Sequence, residues 1–227
     1  MESIKENLDF FIPMMEGIAA QFGHQCEVVL HDHAQGLESS IIAIINGHVT
    51  HRAVGDPSSN LGLEVLRGND VNGDQHGYFT RTRDGKTLRS TSIYVRNSKK
   101  QVIGALCINL DISDILQAEK ILNTMAGLPD NTPVCTQRLN EIFVRDVNEL
   151  LDYLITECMA QINVPVNNMT RQDKLKAIQF FDEKGVFLIK KSSERICELL
   201  NISKYTLYAC LSELRGEKNV TDTNPQE

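Results

Sequence analysis

Apolar residues in the C-terminal quarter of the chain recur at spacings of three and four residues, which predicts two short helices joined by a tight turn. The inward positions of the first helix are Ile196, Cys197, Leu199 and Leu200. Asn201 ends this helix because Asn tolerates the left-handed backbone of a tight turn, and Ser203 is a favourable N-cap for the second helix. The inward positions of the second helix are Leu207, Cys210, Leu211 and Leu214. An αα-hairpin of a helical bundle shares this pattern, but so short a turn favours a helix-turn-helix that binds DNA.

The opposite side of the second helix is predicted to enter the major groove of an operator in double-stranded DNA. Its residues are Ser203, Lys204, Tyr205, Thr206, Tyr208, Ala209 and Ser212. Basic residues nearby are expected to contact phosphates, namely Arg171, Lys190, Lys191 and Arg215. Residues 170–173 form a capping box that predicts the start of a first helix, making three in all. Because one three-helix reader buries little surface on DNA, we expect a homodimer on two half-sites.

Short apolar runs separated by polar turns dominate the N-terminal half and predict an antiparallel sheet. A helix is predicted over 1–23, and a loop that carries a short helix is predicted over 57–73. The five predicted strands are 26–31, 40–46, 78–83, 87–96 and 101–110. Two strands, short helices and a three-stranded meander follow one another in the order of a PAS domain.

Helical patterns resume at 114–126 and again at 138–162, with a proline-containing linker over 127–136 between them. The apolar stripe of 138–162 is too wide to face water, so it packs on the sensor or on a second copy of itself. We therefore expect an α+β protein with a PAS-like sensor, a helical connector that dimerises, an all-α three-helix DNA-binding domain and a disordered tail. Their expected boundaries are 1–112, 113–168, 169–218 and 219–227.

The net charge of −7 looks unfavourable for DNA binding until it is divided along the chain. Residues 1–168 carry a net charge of −8, whereas residues 169–218 carry +3. Only the C-terminal module is basic, as a small phosphate-contacting domain is expected to be. The acidic segment 1–168 is therefore expected to have a role other than binding nucleic acid.

The six cysteines are scattered without paired or metal-type spacing, which is typical of a protein in a reducing cytoplasm. The first residues show no secretory signal, and no stretch approaches the eighteen apolar residues that a membrane span needs. We therefore expect a cytoplasmic protein that does not contact a membrane.

Five of the six histidines lie within 24–51, and His31 and His33 could share one face of a strand as metal ligands. No cysteine or second acid stands at ligand spacing, so no metal and no cofactor are predicted. No phosphate-binding loop, nucleophile elbow or HExxH motif occurs, and no catalytic residue is predicted. A redox- or metal-responsive regulator, or an enzyme with a helical hairpin, remains the alternative.

Polar residues on or beside the predicted strands indicate a site for a small polar effector, because buried polar groups need partners. They are His31, Asp32, Asn46, Arg89, Thr91, Asn109 and Asp111. Arg89 could pair with a carboxylate. Pairing within the protein is favoured for Asn109 and Asp111, and the same alternative stays open for His31 and Asp32.

Four stretches and the helix-turn-helix together resemble one family of bacterial regulators. The stretches are Glu27-Val28-Val29-Leu30-His31-Asp32, residues 45–52 (Ile-Asn-Gly-His-Val-Thr-His-Arg), residues 103–111 (Ile-Gly-Ala-Leu-Cys-Ile-Asn-Leu-Asp), and residues 173–191 from Asp-Lys-Leu to Leu-Ile-Lys-Lys. The chain resembles transcriptional regulators that join a YheO-like PAS domain to a C-terminal helix-turn-helix. The resemblance implies a dimeric, cytoplasmic DNA-binding regulator, and some such proteins repress amino-acid utilisation operons, D-arginine utilisation among them. Asn201 stands where the family commonly has Gly.

Overall fold

The computed structural model describes residues 1–68, 73–128 and 141–221, which fall into two compact units. The first unit contains residues 1–62, 73–128 and 141–146, and the second contains 63–68 and 147–221. The second unit therefore takes a short segment from within the N-terminal half of the sequence. Residues 129–136 of the predicted 127–136 linker and residues 138–140 at the start of the predicted helix lie outside the described residues.

A five-stranded antiparallel sheet forms the first unit, with the strand order β2-β1-β5-β4-β3. Its strands are β1 (Cys26–Asp32), β2 (Ile41–Ile45), β3 (Gln75–Arg81), β4 (Thr87–Arg96) and β5 (Val102–Asp111). The prediction of five strands and an α+β fold is confirmed. In the register, Val28 of β1 pairs with Ile108 of β5, which pairs with Thr91 of β4.

The two faces of the sheet differ in chemistry, because successive side chains alternate between them. On one face, Cys26, Val28 and Leu30 pack against α1 (Leu8–Phe22), where Phe11 and Met15 are buried. The opposite face, here called the polar face, presents polar and titratable side chains, all buried or half-buried. They are Glu27 from β1, Tyr78 from β3, Ser90 and Ser92 from β4, and Cys107 and Asn109 from β5.

Two further helices belong to the N-terminal half of the sequence. The predicted short helix is α2 (Asn60–Leu66), which crosses the division between the two units. The helix predicted over 114–126 is α3 (Ser113–Met125), and none of its residues is buried. Ile115, Leu122 and Met125 are exposed on it, at the spacing of one helix face.

Within the described residues, four complete helices lie in the second unit, and the three-helix prediction for its C-terminal part is confirmed. They are α4 (Val147–Ile162), α5 (Arg171–Glu183), α6 (Ser192–Leu200) and α7 (Lys204–Thr221). The capping box is present, since the Thr170 and Asp173 side chains each bind the other residue's backbone N–H. Helix α7 extends to Thr221, three residues into the predicted tail, and 222–227 lie outside the described residues.

The helix predicted over 138–162 is shorter than expected, because residues 141–146 are not helical and α4 begins only at Val147. Within α4, Leu150, Leu151, Leu154 and Cys158 are already buried in the single chain, and α4 packs against α5. Much of the apolar stripe is therefore covered within the chain, while Ile155, Met159 and Ile162 stay half-buried.

Asp182 is a buried carboxylate that binds two guanidinium groups inside the second unit. Its Oδ1 accepts a hydrogen bond from Arg215 Nη2 at 2.8 Å, and its Oδ2 accepts one from Arg67 Nη2. Burial acts to raise the pKa of Asp182, but Arg215 and Arg67 outweigh it and hold the pKa below its usual range. The ionised form is therefore the stable one in the folded unit.

We expect Asp182→Asn to lower the free energy of unfolding by about 1–3 kcal/mol at pH 7, because two arginines lose their charged acceptor at a buried position. A carboxyl with a lowered folded pKa stabilises the protein above its unfolded pKa of about 3.9, and this contribution is lost as the pH falls through the folded pKa. Urea titration should therefore show the difference from wild type narrowing below that pH. The exposed Glu198→Gln change is the control, and equal effects of the two changes at pH 7 would contradict the assignment.

Candidate functional site

The turn between α6 and α7 has the geometry that the sequence predicts. Asn201 ends α6 with a left-handed backbone, φ 49°. The N–H of Ile202 then donates to the carbonyl of Cys197 at 3.0 Å. Ser203 Oγ accepts a hydrogen bond from the N–H of Thr206 at 3.1 Å and so caps α7. The turn is thus fixed by its own backbone and by one side-chain cap.

Burial divides α7 into an inner and an outer face. Leu207, Cys210 and Leu211 are buried. On the outer face Tyr205 is 85% exposed and Tyr208 is 56% exposed. The remaining predicted base-reading residues, Ser203, Lys204, Thr206, Ala209 and Ser212, are all exposed as well. Two aromatic side chains so close together on one exposed face are available for contact with another molecule.

The basic residues near α7 differ in how far they are already paired. Arg215 binds the buried carboxylate of Asp182, as described above. Arg171 binds Glu213 at 3.0 Å, but its side chain remains 80% exposed. Lys204 reaches Glu194 at 2.8 Å in an exposed pair, and Lys190 and Lys191 are exposed directly before α6. Exposed pairs of this kind are weak and exchange readily with phosphate.

A buried ion pair lies at the centre of the polar face. Glu27 Oε1 accepts hydrogen bonds from Arg52 Nη2 and from Asn109 Nδ2, each at 2.8 Å. Glu27 Oε2 accepts from the hydroxyl of Thr50, which in turn accepts from Arg52 Nε at 2.9 Å. The Arg52 guanidinium stacks 4.7 Å from the centre of the Phe143 ring. Every polar group of this cluster has a partner, as a buried charge requires.

A second buried carboxylate, Glu141, extends this polar cluster. Its Oε1 accepts from Ser59 Oγ at 2.8 Å, and its Oε2 accepts from Tyr78 Oη at 3.0 Å. Tyr78 Oη also lies 2.9 Å from Ser92 Oγ, which lies 3.4 Å from Cys107 Sγ. A chain of hydrogen bonds therefore crosses the polar face.

Burial changes the acidity of these groups in the directions expected for a site closed to water. It raises the pKa of Glu141, against the opposing effects of the Ser59 bond and of Arg52. It also raises the pKa of Cys107 to about 12, so this thiol keeps its proton. The negative charge of Glu141 is less stable here than in water.

Two predicted effector residues at the end of β1 have partners within the protein. His31 Nδ1 lies 2.9 Å from Ser40 Oγ, and Asp32 accepts from the N–H of Ala34 at 2.9 Å. Burial and the charge of Arg52 hold the pKa of His31 well below its usual range. His31 is therefore neutral at physiological pH.

Asn46 and Asp111 stabilise local structure. Asn46 has a left-handed backbone, and its Nδ2 donates to the carbonyl of Cys26 at 2.8 Å. Asp111 Oδ1 accepts from Ser113 Oγ at 2.6 Å just before α3. Of the seven predicted effector residues, only Asn109 is part of the cluster around Glu27.

Arg89 and Thr91 face the other side of the sheet and line a cavity of about 400 Å³ beside the end of α1. Its remaining lining residues are Phe22, Cys26, His76, Gly77, Ile108 and Leu110. Thr91 Oγ1 accepts from the N–H of Gly77 at 3.0 Å. The structure thus brings Arg89 and Thr91 together but separates them from Asn109.

The histidine-rich region does not assemble a metal site among the residues that the structure describes, where no group of three or more potential ligands converges. Burial lowers the pKa of His33 to about 4, and the His31 and His33 rings stack with centres 6.4 Å apart. In the same described part of the chain, no helix is both long and apolar enough to cross a membrane.

Two family models match this chain, the first over the part that forms the sheet and the second over the part that forms the helix-turn-helix. Residues 2–127 match a YheO-like PAS domain, and residues 150–212 match a helix-turn-helix domain. YheO of Escherichia coli K12 is 34% identical over 211 residues, which cover 89% of this chain and 82% of YheO. The chain belongs to this family.

Two further relatives cover nearly the whole chain. A protein of Haemophilus influenzae is 31% identical over 207 residues, covering 90% of each chain. The transcriptional regulator DauR of Pseudomonas aeruginosa is 28% identical over 210 residues, covering 92% of this chain and 95% of DauR. The chain is accordingly a transcriptional regulator with a PAS domain and a DNA-binding helix-turn-helix domain.

The sequence pattern did not point to the principal residues of the polar face or of the segments packed on it. They are Glu27, Thr50, Arg52, Ser59, Tyr78, Ser92, Cys107 and Glu141. One signal was available, because Glu27 interrupts an otherwise apolar strand that the pattern predicts to be buried. No sequence signal places Glu141 on this face, since it follows the PAS match by fourteen residues.

Proposed function

We propose that this PAS-family regulator binds a palindromic operator as a homodimer and changes its affinity for DNA when a small polar molecule binds to the PAS domain. The observation that carries the proposal is the exposed aromatic face of α7 on a helix-turn-helix whose inner face is buried at Ile196, Leu200, Leu207 and Leu211. The polar face of the sheet supports the sensing role.

In this proposal α7 lies in the major groove and reads base edges with Lys204, Tyr205 and Tyr208. Lys190 and Lys191 bind phosphates from the start of α6, and Arg171 joins them by exchanging Glu213 for a phosphate. Arg215 was predicted as a phosphate contact, but its bond to Asp182 gives it a second role in holding α7 to α5.

The polar face supports effector binding because it retains a buried ion pair. A buried ion pair usually stabilises a protein no more than well-packed apolar side chains would. The pair of Glu27 and Arg52 is therefore not explained by stability alone. A zwitterionic or carboxylate-bearing small molecule would find both charges and several hydroxyl groups there. A redox role is disfavoured at Cys107, because a reactive cysteine needs a thiolate.

An effector changes DNA affinity only through its different affinities for the two states of the protein, typically by about 5–150-fold. To test this, small molecules released from the purified full chain are identified by mass spectrometry and titrated into an operator-binding assay. We expect a change in DNA affinity within that range. An operator affinity that is unchanged by every retained molecule would contradict the sensing proposal.

The same assay decides which face of the sheet binds the effector. Ser59→Ala removes a hydroxyl from the polar face, and Arg89→Ala removes the guanidinium from the cavity on the other face. We expect Ser59→Ala to weaken the effector response and Arg89→Ala to preserve it. The reverse result would assign the effector to the Arg89 cavity, as the sequence alone suggests.

Dimerisation is expected through α3, because its apolar face is exposed in the single chain, whereas the large apolar residues of α4 are buried or half-buried. Leu122 is 65% exposed, and Ile115 and Met125 lie beside it on the same face. A DNA-binding domain that contacts two half-sites requires a second copy of this chain. That copy presents the same apolar face of α3, so the two faces can pack against each other.

Leu122→Asp is therefore expected to produce a folded monomer, because the exposed Leu122 side chain contributes little to the hydrophobic core of a single chain. Analytical ultracentrifugation gives the oligomeric state, and far-UV circular dichroism checks the fold. Thr124→Asp adds the same charge at an exposed position on nearly the opposite side of α3 and should leave the dimer intact. A Leu122→Asp protein that still sediments as a dimer would contradict this interface.

A further inference from the structure

Residues beyond the matched PAS domain fill part of its interior. The match ends at residue 127, yet Glu141 is only 8% exposed and Val144 is only 2% exposed. Residues 141–144 have no helical or strand hydrogen bonding and belong to the same unit as the sheet. We call this segment the strap.

The strap is attached to the polar face by three kinds of contact. The Glu141 carboxylate accepts the hydrogen bonds from Ser59 and Tyr78. The N–H of Ile142 donates to Asn60 Oδ1 at 2.7 Å. The ring of Phe143 lies against the guanidinium of Arg52. A backbone contact, a side-chain contact and a ring contact thus hold three consecutive residues, and Val144 follows them as a buried side chain.

The groups that receive Glu141 come from separate parts of the PAS domain. Ser59 precedes α2 and Tyr78 lies on β3, yet their hydroxyl groups converge on one carboxylate. Arg52 adds a positive charge that acts on the same carboxylate. Without the strap these buried hydroxyl groups would have no carboxylate to bind, and an unpaired buried donor is costly. They therefore form a place for a carboxylate that the PAS domain does not itself supply.

We propose that Ser59, Tyr78 and Arg52 form a subsite for the carboxylate of a small-molecule effector, and that Glu141 is a built-in competitor that occupies it. The inference rests on the proposed function, in which the PAS domain binds a small polar molecule. It adds the subsite that binds the carboxylate of the effector and the residue that the effector displaces.

Displacement of Glu141 changes the chain immediately before a helix of the second unit. Val144 ends the strap, and α4 begins at Val147, three residues later. A ligand carboxylate that takes the place of Glu141 releases the side chain that holds this part of the connection. The short covalent connection from Val144 to Val147 can then pass this release to α4.

A tethered competitor sets a minimum affinity that a ligand must exceed in order to bind the subsite. A side chain held next to its own subsite acts at an effective concentration in the millimolar range or above. A bare carboxylate should therefore bind poorly to the wild-type protein, whereas an effector with additional contacts can compete. Removing Glu141 should remove this threshold.

Acetate tests the subsite, because Glu141→Ala removes a group of about that size. Thermal unfolding of the full chain is followed by circular dichroism in acetate and in chloride at equal ionic strength. We expect acetate to raise the Tm of Glu141→Ala in a saturable way, with half-saturation at a concentration about tenfold or more below any effect on wild type. Adding Tyr78→Phe to Glu141→Ala should weaken this rescue.

Equal stabilisation of wild type and Glu141→Ala, no stabilisation of Glu141→Ala, or rescue that ignores Tyr78→Phe would each overturn the proposal. If Glu141→Ala does not fold, Glu141→Gln replaces it, with hydrogen exchange of the 141–146 segment as the measurement. A neutral amide holds the strap less firmly, so exchange should be faster than in wild type, and unchanged exchange would also overturn the proposal. Neither measurement involves DNA, so a missing DNA response would count against the proposed function and leave the subsite standing.

Discussion

Replacing Arg52 with Met is expected to lower the free energy of unfolding by about 3–5 kcal/mol, the largest effect on stability predicted for this protein. Met keeps much of the volume of the side chain but leaves the Glu27 carboxylate buried without its cation. The remaining donors, Thr50 and Asn109, cannot neutralise that charge. Urea denaturation of the full chain measures the change.

A second substitution separates two effects of Arg52→Met, namely the unpaired charge left on Glu27 and the loss of packing around residue 52. Glu27→Gln removes the charge while keeping the shape, so the double variant with Arg52→Met should be more stable than the sum of the two single effects implies. The expected coupling is favourable because the neutral amide introduced by Glu27→Gln no longer needs a cation. Strictly additive effects would contradict the account of Glu27 and Arg52 as one buried unit.

Replacing Tyr205 and Tyr208 with Ala is expected to remove most of the preference for operator over unrelated DNA. Loss of a good base contact costs about 1–3 kcal/mol of discrimination, or roughly fivefold to more than a hundredfold per position. Both side chains are largely exposed, so the substitutions should leave the unfolding curve close to that of wild type. Binding to operator and to scrambled DNA at several salt concentrations gives the ratio.

Lys190→Ala is the matched control for these tyrosines, because a phosphate contact carries no sequence information. We expect it to weaken binding to operator and scrambled DNA alike and to reduce the salt slope by about one unit. If both tyrosines could be replaced without changing the operator preference, α7 would not be the reading helix.

The helix-turn-helix could be predicted closely from the sequence because its determinants are local. Asn201 adopts the left-handed turn, Ser203 caps α7, and the predicted outward residues of α7 are exposed. Each of these features depends on neighbours within about four residues along the chain. The antiparallel sheet follows for a similar reason, since alternation and turns decide where strands begin and end.

The polar face could not be predicted because its contacts join distant parts of the chain. Ser59 meets Glu141 across 82 residues, and Glu27 meets Asn109 across the same separation. Alternation places Arg89 and Thr91 on strand β4, but it does not reveal which face of the sheet α1 covers. The apolar stripe of 138–162 likewise predicts burial without naming the partner, which is α5 within the same chain.

The most direct test of the central claim is selection of DNA sequences by the purified full chain from a pool of random double-stranded oligonucleotides. We expect an enriched motif with two related half-sites about 34–36 Å apart, one turn of DNA, and loss of that motif when Tyr205 and Tyr208 are both Ala. A chain that enriches no motif, or a double variant that enriches the same motif, would contradict the conclusion that this protein reads operators through α7.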